Sequence, residues 1–415
     1  MFLAYLNVLK KRNFFLLWFS QIISQFGDRL TQMALIGLVY KVEPLSTLGM
    51  AKMMSLSIVP VFIVSPLAGV YVDRWDNRKT MAWSDFLRGI FILLIPIVFG
   101  LRKFILLVYL LIFLSFCVGR FFITAKMSLI PKLVEEKNIF MANSLVSTTA
   151  MSSTVLGWGL GGIIVERWGL FSAFVIDALT FFISAIAIYF IKIDIESYSK
   201  QIRELGKETL TKLKHSFFSD IKDGLHYIFR SPQARYASKI FFVLFSSLGA
   251  IFTVFVVFIQ NTLSSITLDL GILSIGGSTG LLLGTLFYGR LGFHLNTKKV
   301  INMAMALFSL YLIFFVYFLK LYPSKIFAFV SCFLLGLIIS PVEVAIRSII
   351  HRDSQDKFLG RIFSSLEMLI HTSLLFFMFI SSYLADKVFT PFTIIVGVGI
   401  IIFSFAIFSL FTYNG

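Results

Sequence analysis

The chain has 415 residues, of which 58% are hydrophobic and only 14% charged, and its mean hydropathy is +0.90. A water-soluble chain of this length keeps about a quarter of its residues charged, so most of this surface faces lipid, and a soluble enzyme or soluble nucleic-acid binder is excluded. The formal charge of +16 is then the bias of Lys and Arg toward cytoplasmic loops, not an affinity for nucleic acid.

Lys10, Lys11 and Arg12 precede the first apolar run, which has no small-residue cleavage site and so is a retained helix rather than a signal peptide. A bilayer core takes about 20 apolar residues per helix. The N-terminal half divides into runs at 14–40, 48–72, 80–101, 104–124, 141–165 and 170–193. The C-terminal half gives 240–259, 268–289, 300–321, 326–346, 358–384 and 391–413. Pro60, Pro66, Pro96 and Pro341 fall inside runs, where neighbouring helices can satisfy the freed carbonyls. Placing the N-terminus inside puts most of the 37 Lys and Arg in the cytoplasm, and with twelve spans the C-terminus is inside as well. The largest excess lies in 194–239. There Ile202, Leu205, Leu213, Phe217, Ile221, Leu225 and Ile228 recur at helical spacing beside basic residues, the pattern of an amphipathic helix on the inner leaflet. Cys117 and Cys332 lie in separate apolar runs and form neither a disulfide framework nor a metal cluster.

The two halves repeat. At an offset of about 220 residues, 127–145 overlies 347–365, with Ser128 on Ser348, Ile130 on Ile350, Lys132 on Arg352, Lys137 on Lys357 and Ser144 on Ser364. The same offset places Gly69 on Gly289, Arg78 on Lys298 and Lys79 on Lys299. The expected fold is all-α and integral to the membrane, with about twelve helices in two pseudo-symmetric bundles of six. The divisions are 1–193, a linker at 194–239, and 240–415. Repeats of this kind characterise secondary transporters, with the substrate site between halves near the midplane.

Residues 69–79 resemble the major facilitator superfamily signature Gly-x-x-x-Asp-Arg-x-Gly-Arg-Arg/Lys. Gly69, Asp73, Arg74 and Arg78 match, while Asp76 and Asn77 stand where the signature has Gly and Arg. The segments around Ser24–Asp28, Lys126–Pro131 and Asp223–Tyr227 are similar to the branch of macrolide-efflux proteins and siderophore exporters. Drug–proton antiporters of the family carry Gly-x-x-x-Gly-Pro-x-x-Gly-Gly in the fifth helix. Here Gly157, Gly161 and Gly162 remain, but Trp158 replaces the Pro, which weakens an inference of antiport from that motif. The resemblance implies a major facilitator fold whose first, fourth, seventh and tenth helices line a central cavity.

An ionisable group at a helix centre costs about 2.5–3.5 kcal/mol or more and needs a partner or a wet cavity. Asp28 falls near the midplane of the first helix, with Arg29 about 100° away around the axis. Arg120 lies in the fourth run, and Glu343 and Arg347 stand at i, i+4 in the tenth. These are candidates for handling substrate or protons; the alternative is a static network pairing Asp28 with Arg120 and Glu343 with Arg347. Glu367 and His371 form another i, i+4 pair in the eleventh run, either a proton relay or a structural hydrogen bond. Asp177 on the sixth is read as a helix-packing acceptor. Around Gly69, Asp73 and its neighbours Arg74, Arg78, Asp85 and Arg88 form a candidate cytoplasmic latch that sets the conformational equilibrium.

No nucleophile–base pair, phosphate-cradling loop or metal-ligand cluster is present, so no enzymatic activity, cofactor or metal is expected. The sequence predicts a secondary transporter of a bacterial cytoplasmic membrane, expected to act as a monomer. Its expected task is proton-driven export of an amphiphilic small molecule such as a macrolide-like drug or a siderophore, with membrane lipids around it. The alternatives are a lysophospholipid or glycolipid transporter between leaflets, and a non-transporting receptor or scaffold.

Overall fold

A computed structural model describes residues 8–72, 74–102, 105–192, 230–291, 296–353 and 356–413, with residues 5 and 226. Thirteen helices account for nearly all of these positions. They are α1 (Arg12–Val42), α2 (Thr47–Ile63), α3 (Ser65–Val72), α4 (Asn77–Arg102), α5 (Ile105–Leu133), α6 (Ile139–Trp168) and α7 (Leu170–Tyr189). In the second half they are α8 (Pro232–Leu263), α9 (Leu268–Leu291), α10 (Thr297–Leu321), α11 (Lys325–Asp353), α12 (Asp356–Lys387) and α13 (Pro391–Tyr413). Among the described residues ten are long and apolar enough to cross a membrane, and α2 with α3, bent by 47°, meets the same length and apolarity taken as a pair. The bend has a cause in the sequence: Pro66 has no N–H to give to the carbonyl one turn back, so the helical ladder breaks after Pro60 and Ile63. α1 is 31 residues long, ample for a crossing, although Asp28 and Arg29 at its middle dilute its apolar character. The chain is therefore an all-α, multi-pass integral membrane protein.

Helices outrun the apolar runs because polar residues beyond the hydrocarbon continue and cap them. α4 begins three residues before its run, and Asp76 caps it by accepting a 3.1 Å hydrogen bond from the Lys79 amide. At α10, Asn296 accepts from the amides of Lys298 and Lys299 at 3.1 and 3.3 Å. These two caps stand 220 residues apart, as do the starts of α4 and α10, the starts of α1 and α8, and both ends of α5 and α11. Ser231 caps α8, with Pro232 at its first turn. α6 and α7 are separated only by Gly169 at φ 88°, a left-handed conformation that a side chain would strain.

The chain forms two compact units, Met1–Leu38 with Met53–Phe217, and Val39–Lys52 with Phe218–Gly415. In the first, α4 packs against α5 and α7, and Phe14, Leu17, Phe122, Leu129 and Ile188 are buried together. In the second, α9 pairs with α11 and α8 with α12. The α9–α11 approach is set by small residues: a Cβ on Gly280 would stand 1.9 Å from the Phe333 carbonyl oxygen. The end of α1 and the start of α2 belong to the second unit, and Asp386 of α12 holds them. Its carboxylate accepts from the Thr47 amide at 2.8 Å, the Thr47 hydroxyl at 2.6 Å, the Leu48 amide at 3.1 Å and the Ser46 hydroxyl at 3.0 Å. An acidic group from another helix thereby satisfies the orphan amides at the start of α2. The amphipathic helix expected in 194–239 lies outside the described residues.

Candidate functional site

Four helices of the first unit bring charges together in its interior. Asp28 comes from the middle of α1, Asp85 and Arg88 from the third and fourth turns of α4, Lys126 from α5, and Asp177 from α7. Arg88 donates to Asp28 through Nη2, and its Nη1 lies 3.6 Å from Asp85 Oδ1. Its guanidinium stands 4.1 Å over the Phe181 ring, a cation–π contact. Ser184 of α7 donates to the second Asp85 oxygen. Lys126 donates to Gln21 of α1 at 3.1 Å. The Asp28 side chain keeps 30% exposure, whereas Arg88 keeps 8% and Asp85 none. Asp28 is thus the mouth of the cluster, with the other charges behind it.

Glycines make this convergence possible. A Cβ on Gly27 would stand 2.0 Å from Thr180 Oγ1 and 2.2 Å from Asp177 Oδ1, so the Asp177 carboxylate sits in the space that Gly27 leaves beside Asp28. Arg88 passes over Gly119 in the same way, with Nε 3.4 Å from the position of a Cβ. Asp177 is fully buried; Thr180 donates to its Oδ1 at 3.1 Å, and its Oδ2 has no hydrogen-bond partner among the described residues. Arg29 is turned away, donating to Gln32 at 2.9 Å. Trp158, the residue in place of the antiporter Pro, donates to the same Gln32 oxygen at 2.8 Å. Gly157 beside it lets α6 close on Arg29, whose Cβ would be 2.6 Å from an added Cβ. Three carboxylates, Asp28, Asp85 and Asp177, thus converge with two cations, Arg88 and Lys126, in a low-dielectric interior.

The sequence-derived candidates separate into groups. Asp28 pairs with Arg88 of α4, and α5 contributes Lys126 to the cluster. Arg120 instead donates to the Ser57 carbonyl at 3.2 Å. The suggested latch does not assemble as one set. Asp85 and Arg88 lie 8 and 11 residues into α4 from Asn77, about 12 and 16 Å below its start at 1.5 Å per residue, and they join Asp28. Arg78 stays at the end of the bundle and donates to the Ile191 carbonyl at 2.9 Å; Arg74 is exposed. Gly69 has open space where a Cβ would stand, and Asp73 lies outside the described residues. In the second unit, Glu343 is exposed on α11, and the side chain of Arg347 lies outside the described part. His371 Nδ1 lies 2.8 Å from the backbone carbonyl of Glu367.

Asp177 and Lys126 were not among the residues assigned to substrate or protons, yet one signal in the sequence marks the whole cluster. At the repeat offset of 220, Asp28 falls on Leu248, Asp85 on Met305, Arg88 on Phe308, Lys126 on Ile346 and Asp177 on Gly397. Met305 and Ile346 are fully buried. The second half builds the same helices with apolar residues at these positions, so the fold does not require the charges.

The chain belongs to the Major Facilitator Superfamily, whose family model matches residues 17–371. It is 29% identical over 213 residues to the uncharacterized MFS-type transporter YfiS of Bacillus subtilis; that match spans 51% of this chain and about half, 48%, of the relative. It is 21% identical to macrolide efflux protein A of Streptococcus pyogenes over 385 residues, covering 91% of this chain and 90% of that one. The crystal structure of a bacterial homologue of the iron transporter ferroportin, in an inward-facing state, shares the fold with a TM-score of 0.72 at 14% identity. That likeness covers 96% of this chain and 98% of the other.

Proposed function

We propose that the protein is a secondary transporter that exports an amphiphilic small molecule by alternating access, driven by protons, from a bacterial cytoplasmic membrane. The observation that carries this reading is the charge cluster confined to the first repeat. A fold whose second half carries apolar residues at the five matching positions has no structural need for three carboxylates and two cations there, and charges inside membrane helices mark ion pathways. Full-length likeness to a protein named for macrolide efflux supports the direction. The substitution of Trp158 for Pro does not count against coupling, since coupling is assigned to the cluster and not to the α6 motif.

In this reading a proton enters at half-buried Asp28, which then loses its ion pair with Arg88. The guanidinium is left to Asp85 and Asp177, and α1 is freed to move against α4 and α7. Deprotonation restores the pair. The two protonation states thereby favour different packings of the same helices, as a population shift requires.

Purified protein in liposomes tests this against a panel of macrolides, siderophores and fluorescent lysophospholipids, with and without a pH gradient. The reading expects at least one macrolide-like or siderophore compound to move against its gradient only when a pH gradient is imposed. Movement of lipid alone, or accumulation indifferent to the gradient, would overturn it.

A further inference from the structure

The turn between α3 and α4 opens into a groove of about 620 Å³ against α5. It belongs to the first unit and is separate from the charge cluster. Arg74 and Lys79 stand at its rim, Trp75 and Trp83 on its walls, and Leu87 and Phe121 further in. We propose that this groove binds the headgroup of an anionic phospholipid.

The order of residue types follows the order of groups in such a lipid. Because the α2–α3 pair and α4 are successive membrane segments, the turn that joins them is placed at the bilayer surface, with Arg74 and Lys79 at the level of headgroup phosphates. Both side chains are exposed, and neither makes an ion pair among the described residues, so each has charge to offer. Trp83 is 62% exposed and Trp75 47%, amphipathic rings of the kind that settle at the membrane interface. Trp83 lies one helical turn further along α4 than Lys79, about 6 Å at 1.5 Å per residue. Trp75 is fixed in place by stacking on Phe121 at 5.9 Å and leaning on Tyr71 at 5.3 Å. Leu87 lies a further turn in and meets the acyl region.

Among the described residues the acid on the rim is Asp76, one of whose oxygens is taken up by the α4 cap through the Lys79 amide, and Arg78 is turned away to the Ile191 carbonyl. Two exposed cations, neither in an ion pair among the described residues, thus stand over an aromatic wall. The second repeat keeps Lys299 at the Lys79 position but has Leu295 and Met303 where Trp75 and Trp83 stand, so the two tryptophans are particular to the first half. Basic pockets at this level between membrane helices recognise anionic headgroups. A free anion would use the cations alone, whereas the aromatic walls and their continuity with the lipid-facing surface commit the site to a lipid.

The test uses the full-length protein in detergent, with phosphatidylglycerol, phosphatidylcholine of the same chains, or inorganic phosphate added. Thermal unfolding gives stabilisation and native mass spectrometry counts bound lipid. Phosphatidylglycerol is expected to raise the unfolding temperature and to remain bound. In Arg74→Gln/Lys79→Gln the bound fraction should fall several-fold while the lipid-free unfolding temperature stays within 2 °C, as an order of magnitude for surface changes. Arg74→Lys should retain binding, and Trp83→Ala should weaken it. Equal stabilisation by phosphatidylcholine, equal stabilisation by inorganic phosphate, or unchanged phosphatidylglycerol binding in the double variant would each overturn the proposal.

Discussion

At the scale of single residues, Arg88 is the group on which the buried charges depend. Replacing it with Gln leaves Asp28, Asp85 and Asp177 facing one another without their guanidinium. Breaking a buried pair in this way costs about 3–5 kcal/mol. Arg88→Gln should therefore lower the unfolding temperature, and adding Asp28→Asn should recover part of the loss, since the repulsion it relieves is the source of the damage. A double variant that is less stable than Arg88→Gln alone would show that the two do not interact. Gly27→Ala supplies a second check. Its methyl would overlap Thr180 and Asp177, so α1 and α7 must separate, and the variant should lose transport. Retained activity in Gly27→Ala would mean that the close approach is not needed. Glu135 lies outside the membrane-spanning segments, and hydrogen bonds from Lys11 and Lys137, together with their charge, hold its carboxyl down at about 2. A lowered carboxyl pKa contributes stability above the ordinary range near 4.5, and that contribution fades as the pH falls toward 2. The small difference in unfolding temperature between wild type and Glu135→Gln should accordingly be constant from pH 8 to 5 and shrink below about 4. A difference that grows on acidification would contradict it.

Elements show which parts of the molecule were legible in the sequence. Membrane helices announce themselves by length and apolarity, so all twelve runs correspond to helices, and α13 matches its run at both ends. The differences fall where apolarity stops being the cause. α4 starts early because Asp76 caps it, and α11 extends past Ile346 to Asp353 because helix propagation does not need lipid. The bend between α2 and α3 follows from two prolines that the sequence displays, but its angle depends on packing. Which helices meet is not written in hydropathy, and this is why Asp28 was set against Arg120 and why Arg88 was placed at the surface. The repeat held the missing information, since charges absent from the second half could be singled out by the offset alone. Asp386 is a further element-scale feature without a motif, a single acid receiving the start of α2. Its loss uncovers four hydrogen-bonding groups, of which the two backbone amides matter most. Asp386→Ala should destabilise the second unit by about 1–3 kcal/mol on the scale of a lost charged cap, read from the unfolding temperature. No change would mean that water serves the α2 amides equally well.

Across the whole molecule, the two repeats share helix starts and caps, yet the second has apolar residues at the five positions where the first carries its charge cluster. Proton coupling is proposed to reside in that difference. The fold and the family membership do not by themselves distinguish a coupled transporter from a passive one, whereas the cluster makes a specific demand on Asp28. The most direct measurement is substrate accumulation in proteoliposomes under an imposed pH gradient, comparing wild type with Asp28→Asn after confirming that both are folded by thermal unfolding. The wild type should accumulate substrate only with the gradient, and Asp28→Asn should lose gradient-driven accumulation while still binding substrate. Gradient-driven accumulation by Asp28→Asn equal to that of the wild type would contradict the account.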